Sequence, residues 1–249
     1  MKKPTVAFYD FACCEGCQLQ VANLGEDLLD VLDVVEVVEF REVMSEKWNR
    51  SVDVAIVEGS ITNAHAAERI GEIRKRAGTL IAYGSCATIG GVNGMKNLSD
   101  LDDIRKYVYG DSYKLFPSEK TRAVHQVVPV DYFVNGCPVY PPEFLQILRA
   151  VLQGTTYHVP DYAVCVECKL NENVCMYDRG ITCLGPVTRA GCNSWCINNG
   201  NICYGCRGMV SNPNEKGTKA VLDKYGISAE LIRNKMTMYN KCRELDRHE

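Results

Sequence analysis

The stretch TVAFYDFACCEGCQLQ, residues 5–20, leads from an apolar run through three cysteines into an amphipathic segment. Residues 5–11 predict a buried strand, and residues 17–32 predict a helix because their leucines and valines recur at mostly helical spacing. Three thiols at the end of a strand are compatible with a disulfide, a redox-active dithiol or a metal site. The rest of the chain separates these alternatives.

The same alternation of apolar and amphipathic segments continues beyond this stretch. Further strands are predicted at 34–40, 52–59, 79–85 and 127–136, and further helices at 64–77, 101–110 and 141–154. The strand at 34–40 alternates as an edge strand does, whereas the one at 52–59 is more continuously apolar, as a central strand is. This pattern predicts an α/β fold, a flavodoxin-like, doubly wound parallel sheet, in a domain covering residues 1–158.

The composition excludes several classes of protein. The chain has 249 residues, 46% of them hydrophobic and 24% charged, and a formal net charge of −3. Nothing in this balance indicates a nucleic-acid partner, and no apolar run is long enough to predict a membrane span. The N-terminus lacks the apolar core and cleavage site of a signal peptide. We therefore expect a cytoplasmic protein.

Cysteine is the unusual residue of this chain, with fourteen copies against four histidines. In a reducing cytosol, metal binding explains so many cysteines better than a disulfide framework does. A ligand set that is nearly all thiolate favours iron–sulfur clusters or zinc.

Four cysteines follow predicted strands. Cys14 and Cys17 follow the first strand, and Cys86 and Cys137 follow the fourth and fifth. Because the carboxyl ends of parallel strands lie at one edge of the sheet, we expect these thiols to meet there. Four thiolates suit a [4Fe–4S] cluster, and zinc would accept them too. Buried core thiols at Cys86 and Cys137, or a dithiol at Cys14 and Cys17, are the other interpretations.

A second group of cysteines lies in a segment that is rich in Gly and Asn and has little apolar periodicity. These eight cysteines are Cys165, Cys168, Cys175, Cys183, Cys192, Cys196, Cys203 and Cys206. They make two sets of four, enough for two clusters. The sets follow either the sequential order or an exchanged one, in which one end cysteine serves the other cluster. Two zinc ribbons are the alternative to two clusters. We predict a C-terminal domain at 159–249 whose folding depends on metal and whose last residues, 213–249, form helices that pack back on one of the two parts.

These motifs resemble a known family. Val-Glu-Gly-Ser at 57–60, Gly-Ser-Cys-Ala at 84–87 and Gly-Cys-Pro at 136–138, together with Cys14-x-x-Cys17, resemble the small subunit of [NiFe] hydrogenases and the related subunit of NADH:quinone oxidoreductase. The segments 183–192 and 203–208 look most like the delta or small subunit of cytosolic, multisubunit hydrogenases of the sulfhydrogenase type.

The resemblance implies an electron-transfer subunit with three [4Fe–4S] clusters. Cys14, Cys17, Cys86 and Cys137 would hold the proximal cluster, facing a large subunit that carries the NiFe centre, and the eight downstream cysteines would hold the medial and distal clusters. A diaphorase module with flavin would connect them to NAD(P) or ferredoxin. The nickel-binding motifs of the large subunit are missing from this sequence, so no catalytic residue is expected here.

Two other functions remain open. An iron–sulfur subunit of an NADH:quinone oxidoreductase-like complex should lack the eight-cysteine segment, which this chain has. A zinc-stabilised interaction module would bind zinc in place of iron.

Several individual residues carry smaller expectations. Cys13 stands where many hydrogenase small subunits have Glu, and it is either a silent neighbour or an alternate ligand. Glu58 is expected beside the cluster or in a helix cap or turn. His65 is expected at the surface or in a cap, Arg207 at a solvated surface, and Cys242 without a partner.

Overall fold

A computed structural model describes residues 2–211 and 215–241. Its five strands are β1 Thr5–Asp10, β2 Glu36–Phe40, β3 Val52–Glu58, β4 Ala77–Tyr83 and β5 Tyr132–Val134. They form one sheet in the order β2-β1-β3-β4-β5, and every neighbouring pair is parallel. This is the flavodoxin-like strand order, and the predicted fold class is confirmed.

Helices cover both faces of the sheet. On one face lie α1 Gly16–Ala22, α2 Glu26–Val34 and α6 Pro141–Leu152, and on the other lie α3 Ala64–Arg76 and α4 Gly84–Ile89. A further helix, α5 Leu101–Tyr109, has no residue in either core. Successive side chains of a strand point to opposite faces, so β1 supplies two cores. Phe8 packs in a core with Phe144 of α6, whereas Tyr9 packs in a core with Ile70 of α3. The sheet is therefore buried on both sides.

The register aligns the carboxyl ends of four strands. Asp10 at the end of β1 pairs with Glu58 of β3. Glu58 in turn pairs with Tyr83 of β4, which pairs with Val134 of β5. The loops that carry the first four predicted ligands therefore start from a single row of residues.

Two predicted elements differ from the structure. The helix expected at 17–32 is two helices, α1 and α2, separated at Gly25, whose φ of 64° a continuous right-handed helix does not permit. The strand expected at 127–136 shrinks to β5. The pairing with β4 ends at Asp131, because the carboxylate of Asp131 accepts the hydrogen bond of Leu80 N at 2.7 Å. Before it, Pro129 has no N–H that could donate to a neighbouring strand.

The C-terminal part is built from short elements. They are α7 Val164–Leu170, a 3-10 turn at Met176–Arg179, α8 Trp195–Asn198, α9 Glu215–Tyr225 and α10 Ala229–Asn240. Its core is small, and Cys168, Cys183 and Cys203 belong to it beside Leu184 and Ile197. The domain boundary at 158/159 is not tested and stays a prediction. Within the described residues, no helix is both long and apolar enough to span a membrane.

Helix α10 contacts both parts of the chain, rather than the single part that the sequence predicted. Ile232 is buried in the C-terminal core. The amide of Asn240 donates to the carbonyl of Gly205 at 3.2 Å, and the hydroxyl of Tyr239 hydrogen-bonds to the side chain of Cys137. The helix thereby joins the C-terminal part to the sheet edge.

A buried ion pair joins the same two parts. Arg207 is 1% exposed, so its prediction as a solvated surface residue was wrong. Its guanidinium donates to both oxygens of Glu143 in α6, at 2.6 and 2.7 Å, and to the carbonyl of Asn135 at 2.6 Å. A buried cation needs a carboxylate and further acceptors to offset its desolvation, and this network supplies them.

The Glu143→Gln variant should destabilise the protein strongly, because it leaves the buried charge of Arg207 without its counterion. We expect a loss of about 3 to 5 kcal/mol in the free energy of unfolding. The matched control is Asp102→Asn, which removes the exposed partner of Arg105 and should change stability by less than about 1 kcal/mol. Thermal unfolding of the purified protein compares the two, and equal shifts would contradict this account.

Candidate metal centre

The first cysteine set, Cys14, Cys17, Cys86 and Cys137, lies at the carboxyl edge of the sheet. Cys14 and Cys17 lie at the start of α1, Cys86 lies in α4, and Cys137 follows β5. The pKa of the Cys86 thiol is raised to about 12, first by burial and then by the neighbouring thiol of Cys137. Cys14 contributes more weakly to the same shift. Burial also raises the pKa of Cys17, to which Cys137 contributes. The structure thus brings the four predicted thiols together.

Glycines leave room around these thiols. A Cβ on Gly84 would lie 2.4 Å from Cys17 Sγ, and one on Gly91 would lie 2.8 Å from Cys86 Sγ. Both glycines also have positive φ, 83° and 56°, a conformation that side chains disfavour. The sulfur atoms therefore sit in a cradle of bare backbone, which allows a compact group to approach closely.

Glu58 caps a helix, as one of its two expected roles requires, and it lies beside the first set. Its carboxylate accepts from the backbone N–H groups of Cys17 at 3.2 Å and Gln18 at 2.9 Å, so it caps the N-terminus of α1. The side chain is 2% exposed, and burial raises the pKa of its carboxyl. Its negative charge also raises the pKa of the Cys13, Cys17 and Cys86 thiols, which places it beside the first set.

Cys13 lies next to the first set but bonds locally. Its thiol donates to the carbonyl of Phe11 at 3.4 Å. Burial raises the pKa of this thiol to about 12, and its own presence raises the pKa of Cys86. The thiol is therefore protonated at neutral pH in the metal-free chain, and its role as silent neighbour or alternate ligand stays open.

The second cysteine set consists of Cys165, Cys168, Cys175 and Cys183. Burial raises the pKa of the Cys165 thiol to about 12, and the other three thiols of this set all raise it further. A Cβ on Gly185 would lie 3.2 Å from Cys165 Sγ and 3.6 Å from Cys183 Sγ, so bare backbone again borders the sulfur atoms. These four cysteines are close neighbours.

The third cysteine set consists of Cys192, Cys196, Cys203 and Cys206. Burial raises the pKa of the Cys206 thiol to about 12, and among its neighbours Cys192 and Cys196 raise it further. Burial likewise raises the pKa of Cys203, with Cys206 as a contributing neighbour. All four line one small cavity, together with Cys137 of the first set and Tyr239.

The third set lies between the first and the second. On one side, Cys137 raises the pKa of both Cys196 and Cys206, and the hydroxyl of Ser85 donates to the carbonyl of Cys206. On the other side, the backbone N–H of Cys203 donates to Cys183 Sγ at 3.2 Å. The spatial order of the sets, first, third, second, therefore differs from their order along the chain.

Two further candidate residues, His65 and Cys242, are not members of the three sets. His65 is exposed near the start of α3, where Asn63 and not His65 caps the helix. Cys242 lies outside the described residues. Within the described residues, no three or more His, Cys, Asp or Glu side chains are placed so that all of them could bind one and the same metal ion.

Comparisons with known proteins show which proteins this chain is similar to. The family model described as NADH ubiquinone oxidoreductase, 20 Kd subunit, matches residues 14–151. The sulfhydrogenase 2 subunit delta of Pyrococcus furiosus is 36% identical and covers 92% of this chain and 96% of its own length. A subunit of the F420-non-reducing hydrogenase vhu of Methanocaldococcus jannaschii is 32% identical, over 92% of this chain and 90% of its own length.

Among solved structures, a chain of the NAD+-reducing [NiFe]-hydrogenase in the H2-reduced state superposes with a TM-score of 0.57 at 27% identity. The match covers 64% of this chain and 96% of that one. The fold and its cysteine-rich edge thus define a class, the small subunits of oxidoreductase complexes. Within that class, the chain belongs to the NADH ubiquinone oxidoreductase 20 kDa subunit family, in a branch that it shares with hydrogenase subunits such as the sulfhydrogenase delta subunit.

The Gly84→Ala variant should disrupt the first set, because the added methyl group meets Cys17 Sγ and the residue has positive φ. We expect a loss of about 2 kcal/mol or more in the free energy of unfolding. The matched control is Gly71→Ala in α3, where a Cβ meets nothing within 4 Å. This control substitution should stabilise the helix by up to about 1 kcal/mol. Thermal unfolding measures both variants. A similar loss of stability in the two would contradict the close approach of Gly84 to Cys17 Sγ.

Proposed function

We propose that this chain is the electron-transfer small subunit of a cytoplasmic [NiFe] hydrogenase, with one [4Fe–4S] cluster on each cysteine set. The observation that carries the proposal is the continuous line formed by the three sets, in which Cys137 adjoins the third set and Cys203 adjoins the second. A thiolate-bound [4Fe–4S] cluster takes up and releases one electron. Three such groups in a line would form a relay through the chain.

The residues of each set fit such a cluster. Each set has four thiols, one for each iron, and glycine backbone borders the sulfur atoms of the first and second sets. Buried thiols with raised pKa values lose their protons when metal binds, so assembly of the sites releases protons and stabilises the fold. The thiols that lie beside Cys165 and Cys206 support a division of the eight cysteines in sequential order, with 165 to 183 in one set and 192 to 206 in the other.

The first set would be the proximal site and would face the subunit that carries the NiFe centre. Cys14 and Cys137 are exposed, so this set reaches the surface of the chain. In the other two sets, apolar side chains such as Leu184, Val187 and Ile197 share a core with the buried cysteines, which are Cys168, Cys183 and Cys203. In this proposal, residues 1–158 hold the proximal site and residues 159–249 hold the other two.

The second set would deliver electrons to a partner module. Flavin and iron–sulfur diaphorase subunits that react with NAD(P) or ferredoxin are the proposed partners, in line with the solved relative named as NAD+-reducing. A quinone-linked role is supported less well. The family model covers 14–151, whereas the sulfhydrogenase delta subunit matches 92% of the chain and so extends into the eight-cysteine segment.

The Cys137→Ala variant tests the proposal in the assembled complex. Without a proximal ligand, H2-dependent reduction of a dye should fall by more than about tenfold, because electrons then have no relay from the NiFe centre. Exchange of H2 with D2O, which needs only the partner's metal centre, should persist. Cys13→Ala is the companion variant: unchanged dye reduction would identify Cys13 as a silent neighbour, and a comparable fall would identify it as an alternate ligand.

Full dye reduction by the Cys137→Ala complex would exclude Cys137 as a proximal ligand. Stoichiometric zinc with no visible absorption in the wild-type chain would favour the zinc-stabilised interaction module instead.

A further inference from the structure

A cavity of about 250 Å³ lies where the C-terminal part meets the sheet edge. It is separate from the cavity of the third cysteine set, although Arg207 borders both. Thr88 of α4, His125 and Phe133 form one side, and Arg189 and Arg207 form the other. No cysteine is among the described residues that line it, so the proposed clusters do not account for it.

Two hydrogen-bond donors in this cavity lack partners. Thr88 is 2% exposed, and its hydroxyl has no partner among the described residues. The Nε of Arg189 is likewise buried without an acceptor. A buried donor without an acceptor is costly, and native proteins rarely leave two of them in one cavity. Both atoms are therefore free to donate to a water molecule or to an anion that enters the cavity.

The walls of the cavity supply donors and positive charge. Asp161 pairs with Arg189 at 3.4 Å and Glu143 pairs with Arg207 at 2.6 Å, yet neither carboxylate is among the lining residues. The charged groups that face the space are thus guanidinium groups. Guanidinium and hydroxyl donors suit a group that only accepts hydrogen bonds and carries negative charge.

We propose that this cavity binds a small oxyanion of the phosphate or sulfate class, held by the hydroxyl of Thr88 and the guanidinium of Arg189. The volume accommodates such an ion together with a few water molecules. The site lies between two parts of the chain, so the ion would also hold α4 and the segment around Arg189 together. The assignment does not depend on the proposed electron relay.

Thermal unfolding of the metal-bound protein, in phosphate or in chloride at equal ionic strength, tests this site. Phosphate should raise the melting temperature of the wild type. Thr88→Val, which removes one charge-assisted hydrogen bond with little change of shape, should weaken phosphate binding by about tenfold. Without phosphate, this variant should be at least as stable as the wild type, because the hydroxyl that it removes has no partner.

The matched control is Thr155→Val, whose hydroxyl donates to the carbonyl of Ala150 at the end of α6 and lies outside the cavity. It should keep the full phosphate response. An equal phosphate response in the wild type and Thr88→Val would overturn the proposal.

Crystals of the wild-type protein soaked in selenate give a second readout that needs no variant. An anomalous selenium peak within hydrogen-bond distance of Thr88 Oγ1 and Arg189 Nε is the expected result. Density for water alone at this position, in crystals that hold selenate elsewhere, would contradict the site.

Discussion

The parallel register of the sheet is the constraint on which the rest of this structure depends. Asp10, Glu58, Tyr83 and Val134 pair in one row, so four strands end at the same edge. Short loops from that row deliver the four cysteines of the first set, and Glu58 caps the helix that carries one of them. A shift of one residue in a single strand would turn its side chains to the opposite face and separate these thiols. Sheet pairing therefore positions the first cysteine set.

The C-terminal part depends on that edge in turn. Its own core is small, and three cysteines belong to it. Arg207 reaches across to Glu143, and Tyr239 of α10 reaches Cys137, so the third set is fixed directly beside the first. This docking explains why the sets follow one another in space in an order that the chain does not follow. The buried Arg207–Glu143 pair and helix α10 thus hold the third set beside the first.

Local patterns predicted the sheet and the convergence of the first set, because apolar periodicity and the position of a cysteine after a strand are visible within a few residues. Features that depend on distant partners were not predictable in this way. The burial of Arg207 follows from Glu143, 64 residues away. The shortening of β5 follows from the bond between Asp131 and Leu80. The placement of the third set depends on Ser85, which lies 121 residues before its partner Cys206, and on Tyr239 of α10.

The central claim is that three cysteine sets each hold four irons, in the spatial order first, third, second. Anomalous diffraction from crystals of the assembled complex, recorded above and below the iron edge, tests it most directly. The account predicts three compact iron sites, one at each set, with the site at Cys192–Cys206 between the other two. Iron at the first set alone, a zinc signal at the other two, or a site bound by cysteines from both the second and third sets would contradict it.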